Sequence, residues 1–153
     1  MTDSASMLMR LVFSSGEARW ARPALVARLV GGVIFVVFGL GKFTAHATET
    51  ASFHRYGLPL PSTFVYAIGV LEILGGLLLI AGLVVRPVAL ALVGDMVGAI
   101  VTAGRIDGGA INLALAPALL VVMLALTWAG GGEHSLDSRL AERQVVRQPR
   151  KLL

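Results

Sequence analysis

Thr63–Val85 reads TFVYAIGVLEILGGLLLIAGLVV, and this stretch decides the fold. About 20 apolar residues at ~1.5 Å each cross the ~30 Å hydrocarbon core of a bilayer, so it predicts a membrane-spanning helix. It holds one charge, Glu72, near its middle. Gly69, Gly75 and Gly76 lie three or four residues away, on the same helical face. An acid at mid-membrane costs roughly 2.5–3.5 kcal/mol on insertion scales, so Glu72 needs a partner inside a helix bundle.

Upstream, Pro23 suits the first turn of a helix, and residues 24–43, ALVARLVGGVIFVVFGLGKF, form another apolar segment. Arg19 and Arg22 precede it and Ala45-His46-Ala47 follows it, as around a secretory leader. The segment is long for a leader and carries Arg28, so it reads as the first span. Residues 44–62 read as a polar connection ending in the turn-rich Gly57-Leu58-Pro59-Leu60-Pro61. The second span is 63–85, and Arg86-Pro87 reads as a hairpin into the third, 87–103. The fourth, 111–129, contains Pro117 as a kink and ends at Gly130-Gly131-Gly132. The expected fold is all-α, a bundle of four transmembrane helices. Residues 1–22 form an amino-terminal segment, read either as a short surface helix or as a disordered tail, 23–132 the membrane domain and 133–153 a basic tail. In the tail, Ser135 is an N-cap and Asp137 sits in the first turn of a short amphipathic helix.

Composition agrees. The 153 residues are 56% hydrophobic and 14% charged, whereas soluble domains carry about a quarter charged residues. There is no cysteine, which excludes disulfides, thiol redox chemistry, iron–sulfur clusters and cysteine zinc sites within the chain. His46, His54 and His134 all fall outside the spans, so no haem is expected. The net charge of +4 is no nucleic-acid footprint, because the arginines gather at the two ends. The positive-inside rule puts both termini and the 86–87 hairpin in the cytoplasm.

Three ionisable residues lie within spans: Arg28, Glu72 and Asp95. Counted from the cytoplasmic side at the helical rise, they lie roughly 8, 21 and 13 Å deep. The expectation is an Arg28–Glu72–Asp95 polar centre that packs helices or binds a ligand. Arg28, Gly32, Phe35, Gly39 and Lys42 form one stripe at 4-3-4-3 spacing, and Ala91, Asp95, Gly98 and Thr102 another. Gly32, Gly39, Gly69, Gly76, Gly94 and Gly98 are expected to let helices approach closely. Plainer readings stand beside these. Arg28 can snorkel to headgroups or pair structurally with Asp95, and Lys42 reads as an interface anchor.

Several pieces arrive in a recognisable order: RLVGGVIFVVFGLGKF from Arg28, GLPLP at Gly57, LEILGGLLLIAGLVVRP from Leu71 and GGGEHSLD from Gly130. Together with Lys42, Arg86, Ser135 and Asp137 they resemble the DoxX family of small four-helix membrane proteins. The resemblance covers roughly residues 25–140. Asp95 departs from that pattern, and Arg105 stands near where relatives often carry histidine. The family takes its name from a subunit of thiosulfate:quinone oxidoreductase. The resemblance therefore implies a membrane subunit of a redox or stress-related complex, with quinone as ligand and a soluble redox protein or enzyme docked at the cytoplasmic face.

With neither cysteine nor bilayer histidine, such a subunit is not expected to catalyse alone. Two alternatives are a small proton-coupled transporter, completed by homo-oligomerisation, and a structural scaffold in the lipid bilayer.

Overall fold

The structure, a computed structural model, describes residues 20–109 and 111–147, and every element among them is helical. The expected surface helix within 1–19, and Arg150 and Lys151 of the tail, lie outside the described residues. The helices are α1 (Ala21–Thr44), α2 (His46–Arg55), α3 (Pro61–Ala81), α4 (Val85–Ala99), α5 (Ala116–Ala129) and α6 (Leu136–Arg147). Wide π-helical turns extend α4 through Ile100–Gly104 and lead into α5 through Ile111–Leu115. Four stretches are long and apolar enough to cross a membrane: Ala21–Thr44, Pro61–Ala81, Val85–Gly104 and Asn112–Ala129. The outer face of α1 carries Val26, Val30, Val33, Val37 and Leu40, all exposed, a stripe suited to acyl chains. Trp20 and Trp128 are exposed at one end of the bundle, where headgroups favour amphipathic rings. That end, with the 82–84 turn and the start of α6, is called proximal. The distal end carries α2 and the connection at 105–109.

In lipid, apolar side chains gain little by leaving the solvent, so close packing decides which helices pair. α1 and α3 pair through glycine. A Cβ added to Gly32 would lie 2.7 Å from the Gly76 carbonyl oxygen, and one on Gly39 would lie 2.9 Å from that of Gly69. α4 packs on α5, and Leu79, Leu92, Met123 and Leu126 form the buried proximal half of the core.

Two features differ from the expectation. The hairpin between the second and third spans falls at 82–84 rather than 86–87. Gly82, at φ 71°, ends α3 in a Schellman arrangement: its N–H reaches Leu79 O and the Leu83 N–H reaches Leu78 O. Val84 is also left-handed, at φ 46°, a strained state for a β-branched residue. Asp137 holds it there, accepting the Val84 and Val85 N–H groups at 2.7 and 2.9 Å. Pro87 then lies in the first turn of α4, where its missing N–H is harmless.

The connection expected at 44–62 contains α2. No apolar periodicity marks it, but Glu49 in its first turn and His54 and Arg55 in its last match the helix dipole. Pro117 offers no N–H to the carbonyl four residues back, and a wide π-helical turn precedes it.

Candidate functional site

The polar residues of the spans form two groups rather than one centre. Arg28 is 1% exposed and faces the proximal end. Its Nη1 donates to Gly131 O at 2.6 Å and its Nη2 to His134 O at 3.3 Å. Asp137 acts on it electrostatically. Gly82 leaves room for the guanidinium, since a Cβ there would lie 2.5 Å from Nη1. Ser135 caps α6 by accepting the Ser138 N–H at 3.1 Å, and its own hydroxyl donates to Gly132 O at 2.7 Å. Arg86 Nη2 donates to Trp128 O at 3.1 Å. Arg28, Arg86, Ser135 and Asp137 thus tie the 82–84 turn, the end of α5 and the start of α6 together.

The expected Arg28–Glu72–Asp95 centre is corrected accordingly. The cation beside Glu72 is Lys42, not Arg28, and Lys42 is no interface anchor. Its Nζ lies 3.0 Å from Glu72 Oε1, to which it donates, and 2.8 Å from Oε2. The two side chains are 12% and 4% exposed. Gly69 permits the approach, because a Cβ there would lie 3.3 Å from Lys42 Cβ and 2.8 Å from the Phe43 ring. Asp95, on α4, lies close enough to Glu72 to act on it electrostatically, and its Oδ2 is buried without a hydrogen-bond partner.

These three residues line one end of a cavity of about 900 Å³. Apolar side chains such as Phe35, Phe38, Ile68 and Leu119 make most of its wall. Gly94 and Gly98 line it too, and a Cβ added to either would meet nothing within 4 Å. The expected Gly94–Gly98 packing motif is therefore corrected: the pair opens space beside α4, where no neighbouring helix comes within 4 Å of an added Cβ. Such a volume suits a small organic ligand.

At the distal end the cavity is flanked by Glu49, Tyr56 and Asp107, and the sequence reading places neither Tyr56 nor Asp107 at a site. Tyr56 donates its hydroxyl to Asp107 Oδ2, and Arg55 Nη2 lies 3.3 Å from Asp107 Oδ1. These contacts latch the end of α2 to the connection after the third span. Burial, with the Asp107 carboxylate beside it, pushes the Tyr56 phenol up to about 12. The Tyr56 hydrogen bond, then Arg55, holds Asp107 below the usual carboxylate range.

The Asp107 contribution to stability is therefore complete above the ordinary carboxylate pKa and is lost as pH falls through the lowered value. That of Tyr56 is complete below the ordinary phenol value of ~10 and is lost as pH rises through about 12. In a Tyr66→Phe background, tyrosinate absorbance should report Tyr56 ionising near about 12, and Asp107→Asn should lower that step. An unmoved step would remove the latch.

With this geometry in hand, comparison with known proteins is informative. The DoxX family model matches residues 24–105, more than half of the chain. The chain belongs to the DoxX family. A Mycobacterium tuberculosis relative, uncharacterized membrane protein Rv3486, is 35% identical over 133 residues, covering 78% of this chain and 82% of that protein. A Bacillus subtilis relative, named putative oxidoreductase CatD, is 37% identical over 78 residues, covering 51% of this chain and 57% of that protein. No solved structure matches the chain. The DoxX match takes in Arg28, Lys42 and Glu72, and so spans both polar groups; Ser135 and Asp137 lie beyond it.

Proposed function

We propose that this DoxX protein is a membrane subunit of a redox system and holds an isoprenoid quinone in its cavity. The observation that carries this reading is one chamber with long apolar walls and a polar end made by Lys42, Glu72 and Asp95. The residues present fit such a ligand. The walls suit an isoprenoid chain, the Lys42 ammonium donates hydrogen bonds as a carbonyl requires, and Asp95 Oδ2, a buried acceptor lacking a hydrogen-bond partner, would accept from a hydroxyl of the reduced form. A bound quinone would supply carbonyl chemistry that exchanges electrons and protons together. Lys42 would orient it, while Glu72 and Asp95 hold or yield a proton.

No cysteine or histidine lines the cavity, so electrons must come from another molecule, and a soluble donor docked on the basic cytoplasmic face is the natural source. The name of the Bacillus subtilis relative supports the redox class. The transport reading is weaker, since the buried proximal core gives a solute no onward route.

Purification in mild detergent followed by lipid extraction tests the proposal. The expected result is retained quinone, reduced about tenfold in Lys42→Met, as loss of a charged hydrogen bond of ~1.5 kcal/mol implies. Gly98→Leu should fill the chamber and reduce retention similarly while the protein stays folded. Quinone-free protein in several detergents, with no co-purifying protein, would sink the reading. A scaffold would instead tolerate Glu72→Gln with full activity in cells.

A further inference from the structure

The cavity is asymmetric along the membrane normal, and this asymmetry bears on what reaches Glu72. Toward the distal end its wall is polar: Glu49 and Ser52 come from α2, Tyr56 follows α2, and Thr102 and Asp107 follow α4. Glu49 lies close enough to Glu72 to act on it electrostatically. The charged lining is Lys42, Glu49, Glu72, Asp95 and Asp107, with Arg55 paired to Asp107 from outside. Acids outnumber bases along this wall.

Toward the proximal end the cavity stops at Ile34, Ala91 and Leu119. Beyond them Leu79, Leu92, Met123 and Leu126 are at most 2% exposed, and Leu92 packs directly on Gly75. About 9 Å of α4 separates Ala91 from Val85 at the helical rise. No polar side chain of that stretch is buried in this layer until the Arg28 cluster closes it.

We infer that the cavity is a water-entered vestibule open to the distal aqueous phase alone, whose acidic wall, with Glu49 at the mouth, gathers small cations and brings protons to Glu72 and Asp95. The inference deepens the redox reading by giving the side from which its protons come, and it rests on that reading only for the use made of them. A proton taken up by Glu49 passes through water to Glu72, and only O–H bonds are made and broken. The proximal half contributes rigidity and no path. Clefts lined by one sign of charge concentrate ions of the other sign by roughly tenfold or more.

The chain contains no cysteine, so one introduced thiol is a unique reporter. Gly94→Cys and Gly98→Cys place it on the cavity wall, where an added Cβ meets nothing within 4 Å. His54→Cys and Arg139→Cys, at exposed positions, mark the distal and proximal faces in sealed vesicles of known orientation.

Membrane-impermeant methanethiosulfonates, one cationic and one anionic, are the probes. Both wall thiols should react from the face that labels His54→Cys and not from the face that labels Arg139→Cys. The cationic reagent should react about tenfold faster than the anionic one, and Glu49→Gln should shrink that ratio severalfold. Reaction from the proximal face, equal reaction from both, or none from either would overturn the inference, as would a ratio indifferent to Glu49→Gln. Quinone retention is read in a separate experiment, so either conclusion can fail while the other stands.

Discussion

Arg28→Met is expected to melt roughly 10 °C below the parent protein in detergent. The guanidinium is buried and donates to Gly131 O and His134 O across more than a hundred residues of sequence. Methionine fills much of the volume but leaves those carbonyls without their donor and Asp137 without the nearby cation. Removing one side of a buried charged arrangement costs about 3–5 kcal/mol, and each kcal/mol shifts the midpoint of a chain this size by about 2–4 °C. Arg28→Lys should recover only part of the loss, since an ammonium cannot fork between two carbonyls. Lys42→Met should cost less, because Glu72 and Asp95 border a cavity and are not sealed in a core. A midpoint within about 2 °C of the parent in Arg28→Met would show that this residue does not hold the proximal end.

The second large effect is expected at Gly76. A Cβ there would lie 2.5 Å from the Gly32 carbonyl oxygen, 2.8 Å from Val36 Cγ2 and 3.1 Å from the Val36 nitrogen. Overpacking typically costs 1–3 kcal/mol where neighbours can yield. Here the nearest atom is backbone, so Gly76→Leu should reach the top of that range and push α1 from α3. Lys42 would then lose Glu72, and the stability loss should bring a loss of ligand retention.

Gly94→Leu is the matched control. Nothing lies within 4 Å of its Cβ, and replacing helical glycine recovers up to ~1 kcal/mol of helix propensity. Thermal melts of the two variants side by side decide the matter. Equal loss in both would refute the assignment of one glycine to packing and the other to the cavity.

Much of this architecture was legible beforehand. A bilayer demands about 20 apolar residues per span, and four such stretches stand out. The 4-3-4-3 stripe on α1 is also real, with Arg28 and Phe35 both buried on it. Periodicity, however, places Arg28 and Lys42 on the same stripe about 21 Å apart at the helical rise. It does not say which cation meets the deep acid. That choice depends on how α1 slides along α3, which the Gly32–Gly76 and Gly39–Gly69 contacts set. Counting depth from the distal side would have offered Lys42.

Glycine spacing had a similar limit. It marks where a side chain is missing and not whether a neighbour or a void takes the room, so Gly94 and Gly98 read like Gly69 and Gly76. α2 escaped notice because a polar helix packed across an opening needs no apolar stripe. Tyr56 and Asp107, 51 residues apart, had no local signal linking them.

The bare stretch of α4 has a consequence for how this architecture can diversify. Larger residues at positions 94 and 98 would occupy emptiness and disturb no neighbour, so the chamber's capacity can be retuned by one or two changes while the interlocked α1–α3 framework stays as it is. Two chains sharing that framework could then accommodate guests of quite different size.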